Sequence, residues 1–271
     1  MPRKMTITYT KDQQEFDDFF DREAIGFRTR NIDLITSIFS FIQAISDSTN
    51  IRMEEDGIYI CVMDATHISL LDCYIPRHVF STYNISETCV RGLNLTLVNK
   101  VLAQVKSTDE LIITFEEDNM TVTVLNSNHE KFYEIKLIDY DDEEMNVEDE
   151  EDISIITFDA RYFTDLVKDL SAIGETLRVK ILAEKKKISM KSSGEMTDLK
   201  IVLKEGDIKY ENLQDTSQEY SLKHFMTFIK SSGLCGKTEM RIKENAPLRL
   251  SHNFMKDGYL RYYLAPKIED D

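Results

Sequence analysis

The chain has 271 residues, 42% of them hydrophobic, so it can bury one large core or two cores of ordinary size. It has 33 lysines and arginines and 49 aspartates and glutamates, and the resulting net charge of -16 excludes nucleic-acid binding through a broad basic surface. The sequence has no apolar run of about 18 residues and does not start with a signal peptide, which predicts a soluble intracellular protein with no membrane association.

Hydrophobic periodicity predicts four helices, each followed by two strands. The helices begin near residues 34, 94, 161 and 221, so the first and third, like the second and fourth, are 127 residues apart. This repeat predicts two similar domains of two helix-strand-strand units each. The helical stripes are Leu34, Ile35, Ile38, Phe39, Ile42 and Ile45; Leu95, Val98, Val101, Leu102 and Val105; Tyr162, Phe163, Leu166, Val167 and Leu170; and Leu222, Phe225, Phe228 and Ile229. The strands that follow are predicted at 51–53 and 58–63, 111–115 and 120–125, 177–182 and 188–190, and 240–242 and 248–250.

An acidic segment lies between the two repeats. Residues 139–152 include ten carboxylates among fourteen positions and contain no Gly, Pro or Ser. Like charges at that density repel one another and keep a segment extended and solvated. The predicted organisation is an N-terminal extension at 1–26, a first domain at 27–138, an acidic connector at 139–152 and a second domain at 153–271.

Four motifs occur in order along the chain, at 62–70 (Val62 to Leu70), 92–96, 168–174 and 260–270. From about residue 27 to the end, these motifs and their spacing closely resemble the proliferating cell nuclear antigen (PCNA) family of DNA sliding clamps. The resemblance implies an α+β protein with two clamp domains per chain and three chains per ring, with helices lining the ring and sheets outside. It implies a non-enzymatic polymerase processivity factor that encircles double-stranded DNA, independently of sequence, and that needs no cofactor.

Cations occur at two-turn intervals on the third and fourth predicted helices, so the members of each pair share a helix face. The second helix adds one cation, whereas the first has uncharged polar residues where family members often have lysines. Solvated surface lysines need no functional explanation, but the resemblance favours contact with DNA. The predicted DNA-facing residues are Lys100, Arg161, Lys168, Lys223 and Lys230.

The resemblance also implies a hydrophobic pocket for peptides of client proteins, beside the acidic connector. Apolar and methionine side chains form an adaptable surface for aromatic anchors. The clients implied are DNA polymerase, the clamp loader, flap endonuclease and DNA ligase. The predicted pocket residues are Met63, His67, Ile68, Leu70, Met145, Val147, Pro247, Tyr263, Ala265 and Pro266.

Contact between subunits is expected at open sheet edges, which otherwise invite aggregation. By the resemblance, one edge is at 131–136 and the other at about 196–203, and their head-to-tail pairing closes the ring. The predicted interface residues are Phe132, Tyr133 and Ile135 on one edge and Thr197, Leu199 and Ile201 on the other.

The N-terminal extension contains a pattern similar to the peptides by which clients enter that pocket. Gln13 precedes Phe16, Phe19 and Phe20, and the aromatic spacing brings the three rings to one side of a helical turn. One interpretation is a self-binding segment that competes with clients. The alternative is an N-terminal helix packed permanently on its own domain, which the same spacing predicts.

Other functions find little support in the sequence. Gly236, Lys237 and Thr238 resemble the end of a phosphate-binding loop, but Ser231 stands where that loop needs its first glycine. The sequence predicts no catalytic residues. The four cysteines lack metal-ligand or disulfide spacing, which predicts free thiols and no metal. The alternative function is a divergent processivity or transcription factor, or a heterotrimeric checkpoint-clamp subunit, that does not encircle DNA alone. The resemblance predicts a nuclear location, or a cytoplasmic replication site for a viral protein.

Overall fold

The computed structural model describes residues 25–140, 153–206 and 208–267. Within these ranges it contains four α-helices and eighteen strands, arranged in three antiparallel sheets. Helices and antiparallel strands are therefore combined as expected for an α+β protein, which confirms the predicted fold class.

The described part of the first domain contains two helices and nine strands. In chain order they are β1 (Ile25–Thr29), α1 (Ile32–Gln43), β2 (Ser48–Glu54), β3 (Gly57–Met63), β4 (Ser69–Pro76), β5 (Thr82–Asn84), β6 (Cys89–Asn94), α2 (Leu95–Leu102), β7 (Glu110–Phe115), β8 (Asn119–Leu125) and β9 (Glu130–Lys136). A short 3-10 helix, Arg77–Val79, separates β4 from β5.

The second domain repeats this order. Its elements are β10 (Ser154–Asp159), α3 (Ala160–Ser171), β11 (Thr176–Leu182), β12 (Lys187–Ser193), β13 (Asp198–Leu203), β14 (Ile208–Glu211), β15 (Thr216–Ser221), α4 (Leu222–Phe228), a 3-10 helix (Ile229–Leu234), β16 (Lys237–Ile242), β17 (Leu248–Phe254) and β18 (Gly258–Leu264).

The repeating unit is larger than the sequence predicts. Apart from β5 and β14, each helix has one strand before it and three after it, and these include the two predicted strands. The predicted unit lacks the strand before the helix and the third strand after it. Among the missed leading strands, β15 has a single apolar residue, Tyr220, and so gives little periodic signal.

The leading strand of each unit joins the sheet of its neighbour. In the first domain, β1 pairs with β7 of the second unit, while β6 pairs with β2 of the first. In the second domain, β10 pairs with β16 and β15 pairs with β11. Each domain is thus an interlocked pair of units and cannot be divided between them without breaking a sheet.

A pair of strands joins the two domains. β4 and β18 are antiparallel neighbours from Ser69 to Tyr74 and from Tyr259 to Leu264, which makes one nine-stranded sheet from parts of both domains. Behind this seam, the rings of Phe41 and Tyr262 lie 6.1 Å apart, and Phe41 also meets Phe228 at 6.3 Å. These edge-to-face contacts are favourable arrangements for aromatic rings in a core.

The four helices form one continuous layer over the sheets. α1 packs against α2 and against the 3-10 helix at Ile229–Leu234, and α3 packs against α4. Buried residues at helical spacing form the inner face of each helix, as Ile35, Ile38 and Ile42 do on α1. Asn94 and Asp159 cap α2 and α3 by accepting backbone N–H bonds, which sets where those helices begin.

Three helices end earlier than their apolar stripes. Ile45 follows the end of α1 and Val105 follows the end of α2, and both are partly buried. α4 ends at Phe228, so Lys230 lies on the 3-10 helix and not on α4 as predicted. The stripe continues through Ile229 because a 3-10 turn also keeps that side chain against the core.

A neutral histidine is buried beneath α4. His252 on β17 stacks on Phe228 at 4.3 Å, and its Nδ1 and Nε2 lie 2.8 Å from the hydroxyls of Ser231 and Thr238. The Ser231 hydroxyl donates to the Phe228 carbonyl, so its oxygen accepts from Nδ1. Burial lowers the pKa of His252 from 6.5 to about 4.

This histidine makes stability depend on pH. Between pH 6.5 and about 4 the unfolded chain binds the proton and the folded chain does not, so stability falls as pH drops through that window. The loss should reach about 3 kcal/mol, which denaturant titrations across the window can measure. His252→Gln should flatten the dependence, whereas exposed His78→Gln should keep it; identical pH profiles for the parent and His252→Gln would contradict this assignment.

Candidate functional site

The five predicted DNA-facing cations all lie on the helical layer and are exposed to solvent. Lys100 is in the last turn of α2, Arg161 and Lys168 are on α3, and Lys223 is on α4, with Lys230 just beyond it. α1 contributes no cation. The structure therefore places the predicted set on one layer, with a gap at α1.

Carboxylates share this layer with the cations. Asp33 on α1 and Asp165 and Asp169 on α3 are exposed. The sequence-based prediction weighed the cations alone and missed these residues, although their spacing was readable from the sequence.

Part of the predicted client pocket forms a row across neighbouring strands. Leu70 on β4 pairs with Met63 on β3 and with Tyr263 on β18, so the three side chains lie side by side. Met63 and Tyr263 are partly exposed, whereas Leu70 is 8% exposed and forms the floor of the row. Pro247 is exposed and directly precedes β17, where Leu248 pairs with Leu264.

The loop between β3 and β4 is organised by one carboxylate. The Asp64 side chain accepts the N–H groups of Ile68 at 3.0 Å and Ser69 at 2.6 Å, and also bonds Thr66. Partial burial by itself would raise the pKa of Asp64, but the bonds from Thr66 and Ser69 lower it below its ordinary value. The loop presents His67, whose φ is 56°, and Ile68 to solvent.

The C-terminal tail is anchored on both sides of Pro266. Ala265 donates its N–H to the Ile68 carbonyl at 2.9 Å, and Lys267 donates its N–H to the Glu219 carbonyl at 2.7 Å. The Lys267 ammonium also donates to the Thr176 hydroxyl at 2.5 Å. The tail thus ties the β3–β4 loop to the four-stranded sheet of the second domain, and it places Ala265 and Pro266 beside that loop.

The remaining predicted pocket residues, Met145 and Val147, lie outside the described residues, as do Gln13, Phe16, Phe19 and Phe20 of the possible self-binding motif. The start of the connector is described. Ile138 donates its N–H to the Gly92 carbonyl at 3.0 Å, and Asn50 donates from its side chain to the Tyr140 carbonyl at 2.7 Å. A Cβ on Gly92 would lie 2.0 Å from the Ile138 carbonyl oxygen, so this close approach needs glycine.

Both predicted interface segments lie at sheet edges. β9 is the last strand of the five-stranded sheet and β13 the last of the four-stranded sheet. Along these strands, partly or fully buried positions alternate with exposed ones, and the large apolar side chains Phe132 and Val202 are exposed. The partly or fully buried positions include Tyr133 and Ile135 on β9 and Leu199 and Ile201 on β13, whereas Thr197 is exposed just before β13.

An aromatic ladder crosses the seam between the domains, and sequence reasoning missed it. The rings of Tyr59 and Tyr74 stack at 4.6 Å, and Tyr259 follows at 5.8 Å from Tyr74. Arg52 lies over the Tyr59 ring at 5.0 Å, and Arg261 lies over the Tyr259 ring at 4.0 Å. Each contact adds about 0.5 to 1.5 kcal/mol to the packing of the seam. The sequence shows a tyrosine in each of these three strands, but the rings meet only because the strand register pairs Tyr74 with both Tyr59 and Tyr259.

Other kinds of site are not found in the part of the chain that the structure describes. No group of three or more His, Cys, Asp and Glu side chains there is arranged to hold a metal ion. Cys61, Cys73, Cys89 and Cys235 are reduced and form no disulfide bond with one another. No helix in the same ranges is long and apolar enough to cross a bilayer.

Two family models match the chain. The N-terminal domain model of proliferating cell nuclear antigen matches residues 26–151, and the C-terminal domain model matches residues 146–267. Proliferating cell nuclear antigen of Chaetomium thermophilum is 25% identical over 256 residues, covering 90% of this chain and 98% of its own length. A protein named probable DNA polymerase sliding clamp 2, from Paramecium bursaria Chlorella virus 1, is 25% identical over 241 residues, covering 88% of this chain and 89% of its own.

The fold also matches a solved structure. The crystal structure of proliferating cellular nuclear antigen from Entamoeba histolytica superimposes with a TM-score of 0.83. The match covers 90% of this chain and 99% of that one, at 23% sequence identity.

Removing the Asp64 carboxylate should loosen the β3–β4 loop. Asp64→Ala deletes the acceptor for the Ile68 and Ser69 N–H groups, so their local opening should become easier by about 1 to 3 kcal/mol. Amide hydrogen exchange at Ile68 and Ser69 measures the change, and Asp64→Asn, which keeps one acceptor oxygen, should lie in between. Glu55→Ala, in the exposed β2–β3 turn at the other end of β3, is the control; unchanged exchange in Asp64→Ala would contradict the role given to Asp64.

Proposed function

This chain belongs to the proliferating cell nuclear antigen family of DNA sliding clamps, non-enzymatic processivity factors of DNA replication, and on that premise we propose that three copies close into a ring around duplex DNA. The ring retains DNA by encirclement and presents client proteins with a hydrophobic peptide pocket. Two domains per chain, with the boundaries predicted above, would give six similar domains around the hole.

The proposal rests on where the third strand after each helix lies, which is β4, β9, β13 and β18 in the four units. These are called the third strands. The third strands of the first and fourth units, β4 and β18, pair with each other inside the chain. Those of the second and third units, β9 and β13, are left at the ends of their sheets. Repeating between chains the pairing that β4 and β18 make within one chain would join β9 to β13 of a neighbour, head to tail.

The chemistry of the two edges supports this pairing. Unpaired backbone N–H and C=O groups on an edge strand are a template for another strand. Tyr133 and Ile135 on one edge, and Leu199 and Ile201 on the other, already contribute to the core of their own domains. Joining the edges would extend both cores across the interface and cover apolar surface, including Phe132, which is 59% exposed.

The pocket proposal rests on the row of Met63, Leu70 and Tyr263 and on the anchored tail beside it. A client would place an aromatic or aliphatic anchor over this row and bond to backbone groups near Ala265 and Pro266. DNA polymerase, the clamp loader, flap endonuclease and DNA ligase are the proposed clients, in replication and repair. The proposed location is the nucleus, or a cytoplasmic replication site if the protein is viral.

The N-terminal motif around Phe16, Phe19 and Phe20 is proposed as a competitor for the same pocket. A tethered segment has an effective concentration of order millimolar, so even a weak motif can compete. Nearby carboxylates in the extension and the acidic connector repel each other, which keeps such binding weak and reversible.

Assembly can be tested by solution mass. The parent chain should have the mass of a trimer by light scattering, and Tyr133→Ala should shift it toward monomer because the edge then has less apolar surface to bury. Leu199→Pro should do the same, since proline at an edge removes a backbone donor. Glu117→Gln, in the exposed β7–β8 turn, is the control. A monomeric parent, or a parent that assembles only with other proteins, supports the alternative of a divergent or heterotrimeric clamp subunit.

Client binding can be tested with one fluorescent peptide that carries a glutamine and paired aromatics. Tyr263→Ala should weaken its binding by about 1 to 3 kcal/mol, the range for a buried anchor site. A chain lacking residues 1–24, and the double variant Phe19→Ala/Phe20→Ala, should bind the peptide more tightly than the parent. Equal affinity for the parent and Tyr263→Ala would refute the pocket, while equal affinity for the parent and both N-terminal variants would refute self-binding alone.

A further inference from the structure

Charges on the helical layer are divided unevenly between its helices. α1 has one charged residue, and it is a carboxylate, while α3 has two cations and two carboxylates. α2, α4 and the 3-10 helix after α4 have cations and no carboxylates. The exposed charged residues are Asp33 on α1, Lys100 on α2, Arg161, Asp165, Lys168 and Asp169 on α3, Lys223 on α4 and Lys230 on the 3-10 helix.

The carboxylates of α3 lie among its cations. Asp165 is four residues after Arg161 and three before Lys168, so all three share one stripe of the helix with neighbouring side chains about 5 to 6 Å apart. Asp169 follows Lys168 directly. A phosphate approaching either cation of α3 also meets a carboxylate, and the repulsion offsets the attraction.

The polar groups near the C-terminal end of α1 bond to one another. Gln43 donates from its side chain to the Thr96 hydroxyl at 3.3 Å, and that hydroxyl donates to the Asp47 carboxylate at 3.1 Å. At the other end of α1, Asp33 accepts from the Ser107 hydroxyl at 2.8 Å. The exposed carboxylates Asp33 and Asp47 therefore flank this helix, which gives it a surface that repels phosphate.

We propose that the duplex is held by Lys223 and Lys230, with a weaker contribution from Lys100 because the Asp47 carboxylate bonds to Thr96 one turn before it, and that α1 and α3 face DNA without holding it. α2 and α4 are the equivalent second helices of the two domains, so each domain would contact phosphates with one helix of its pair. This inference rests on the proposed DNA-encircling function and narrows the five cations predicted from the sequence to three. Few contacts, each replaceable by a salt ion, suit a ring that must slide.

Two pairs of cations allow a matched test. Lys223→Ala/Lys230→Ala and Arg161→Ala/Lys168→Ala each remove two positive charges from the same layer. A third variant, Asp165→Asn/Asp169→Asn, removes two carboxylates from α3. Glu117→Gln/Glu184→Gln makes the same change of net charge at two exposed hairpin turns and is its control.

The measurement is the anisotropy of a fluorescent linear DNA duplex titrated with each full-length protein over a series of salt concentrations. Lys223→Ala/Lys230→Ala should weaken binding and lower the log-log salt slope by about 0.9 for each phosphate that the protein no longer neutralises. Arg161→Ala/Lys168→Ala should lower the slope by less than half as much, and Asp165→Asn/Asp169→Asn should bind more tightly than the parent and its control.

Three results would overturn the inference. If the two cation-pair variants lower the salt slope equally, phosphate contacts lie on α3 as well. If Asp165→Asn/Asp169→Asn binds the duplex no more tightly than its control, these carboxylates do not oppose DNA. A parent protein that has the solution mass of a trimer but does not bind the duplex at any of the salt concentrations would overturn DNA binding itself, and this assignment with it.

Discussion

The pairing of β4 with β18 is the interaction on which the rest of the structure depends. An unpaired strand edge leaves backbone donors and acceptors exposed, and this chain satisfies one such pair of edges internally. The pairing joins parts of both domains in one nine-stranded sheet, places Tyr263 beside Leu70 and brings the tail to the β3–β4 loop. It also aligns the helices of both domains in one layer, since Phe41 of the first domain packs on Phe228 and Tyr262 of the second. The two remaining third strands, β9 and β13, are left at sheet edges.

The acidic character of the whole chain and the cations of the helical layer serve different purposes. A net charge of -16 repels DNA from most surfaces, so contact is restricted to places where cations stand without nearby carboxylates. Lys223 and Lys230 have no carboxylate on their own helices, whereas Lys168 has Asp165 one turn before it on the same helix face. On this view the ring retains DNA by its closed shape, and the strength of each phosphate contact is kept low.

Much of this arrangement could be predicted from the sequence, in proportion to the strength of each periodic signal. Helices predicted to begin near 34, 94, 161 and 221 begin at Ile32, Leu95, Ala160 and Leu222, because long apolar stripes are hard to mistake. The leading strand β15 was missed because one apolar residue is no pattern, and the end of α4 was missed because Ile229 continues the stripe into a 3-10 helix. The hydrogen bonds of Asp64 and the seam that aligns Leu70 with Tyr263 could not be read from local sequence, since they depend on tertiary contacts.

Amide hydrogen exchange along β9 and β13 tests the central claim most directly. If these edges pair between chains, their outward amides should gain protection as protein concentration rises, approaching the protection of β4 and β18, which are paired within each chain at any concentration. Slow exchange at β4 and β18 together with fast exchange at β9 and β13 at every concentration would contradict the account, because the edges would then be open strands of a clamp-fold protein that does not close a ring with itself.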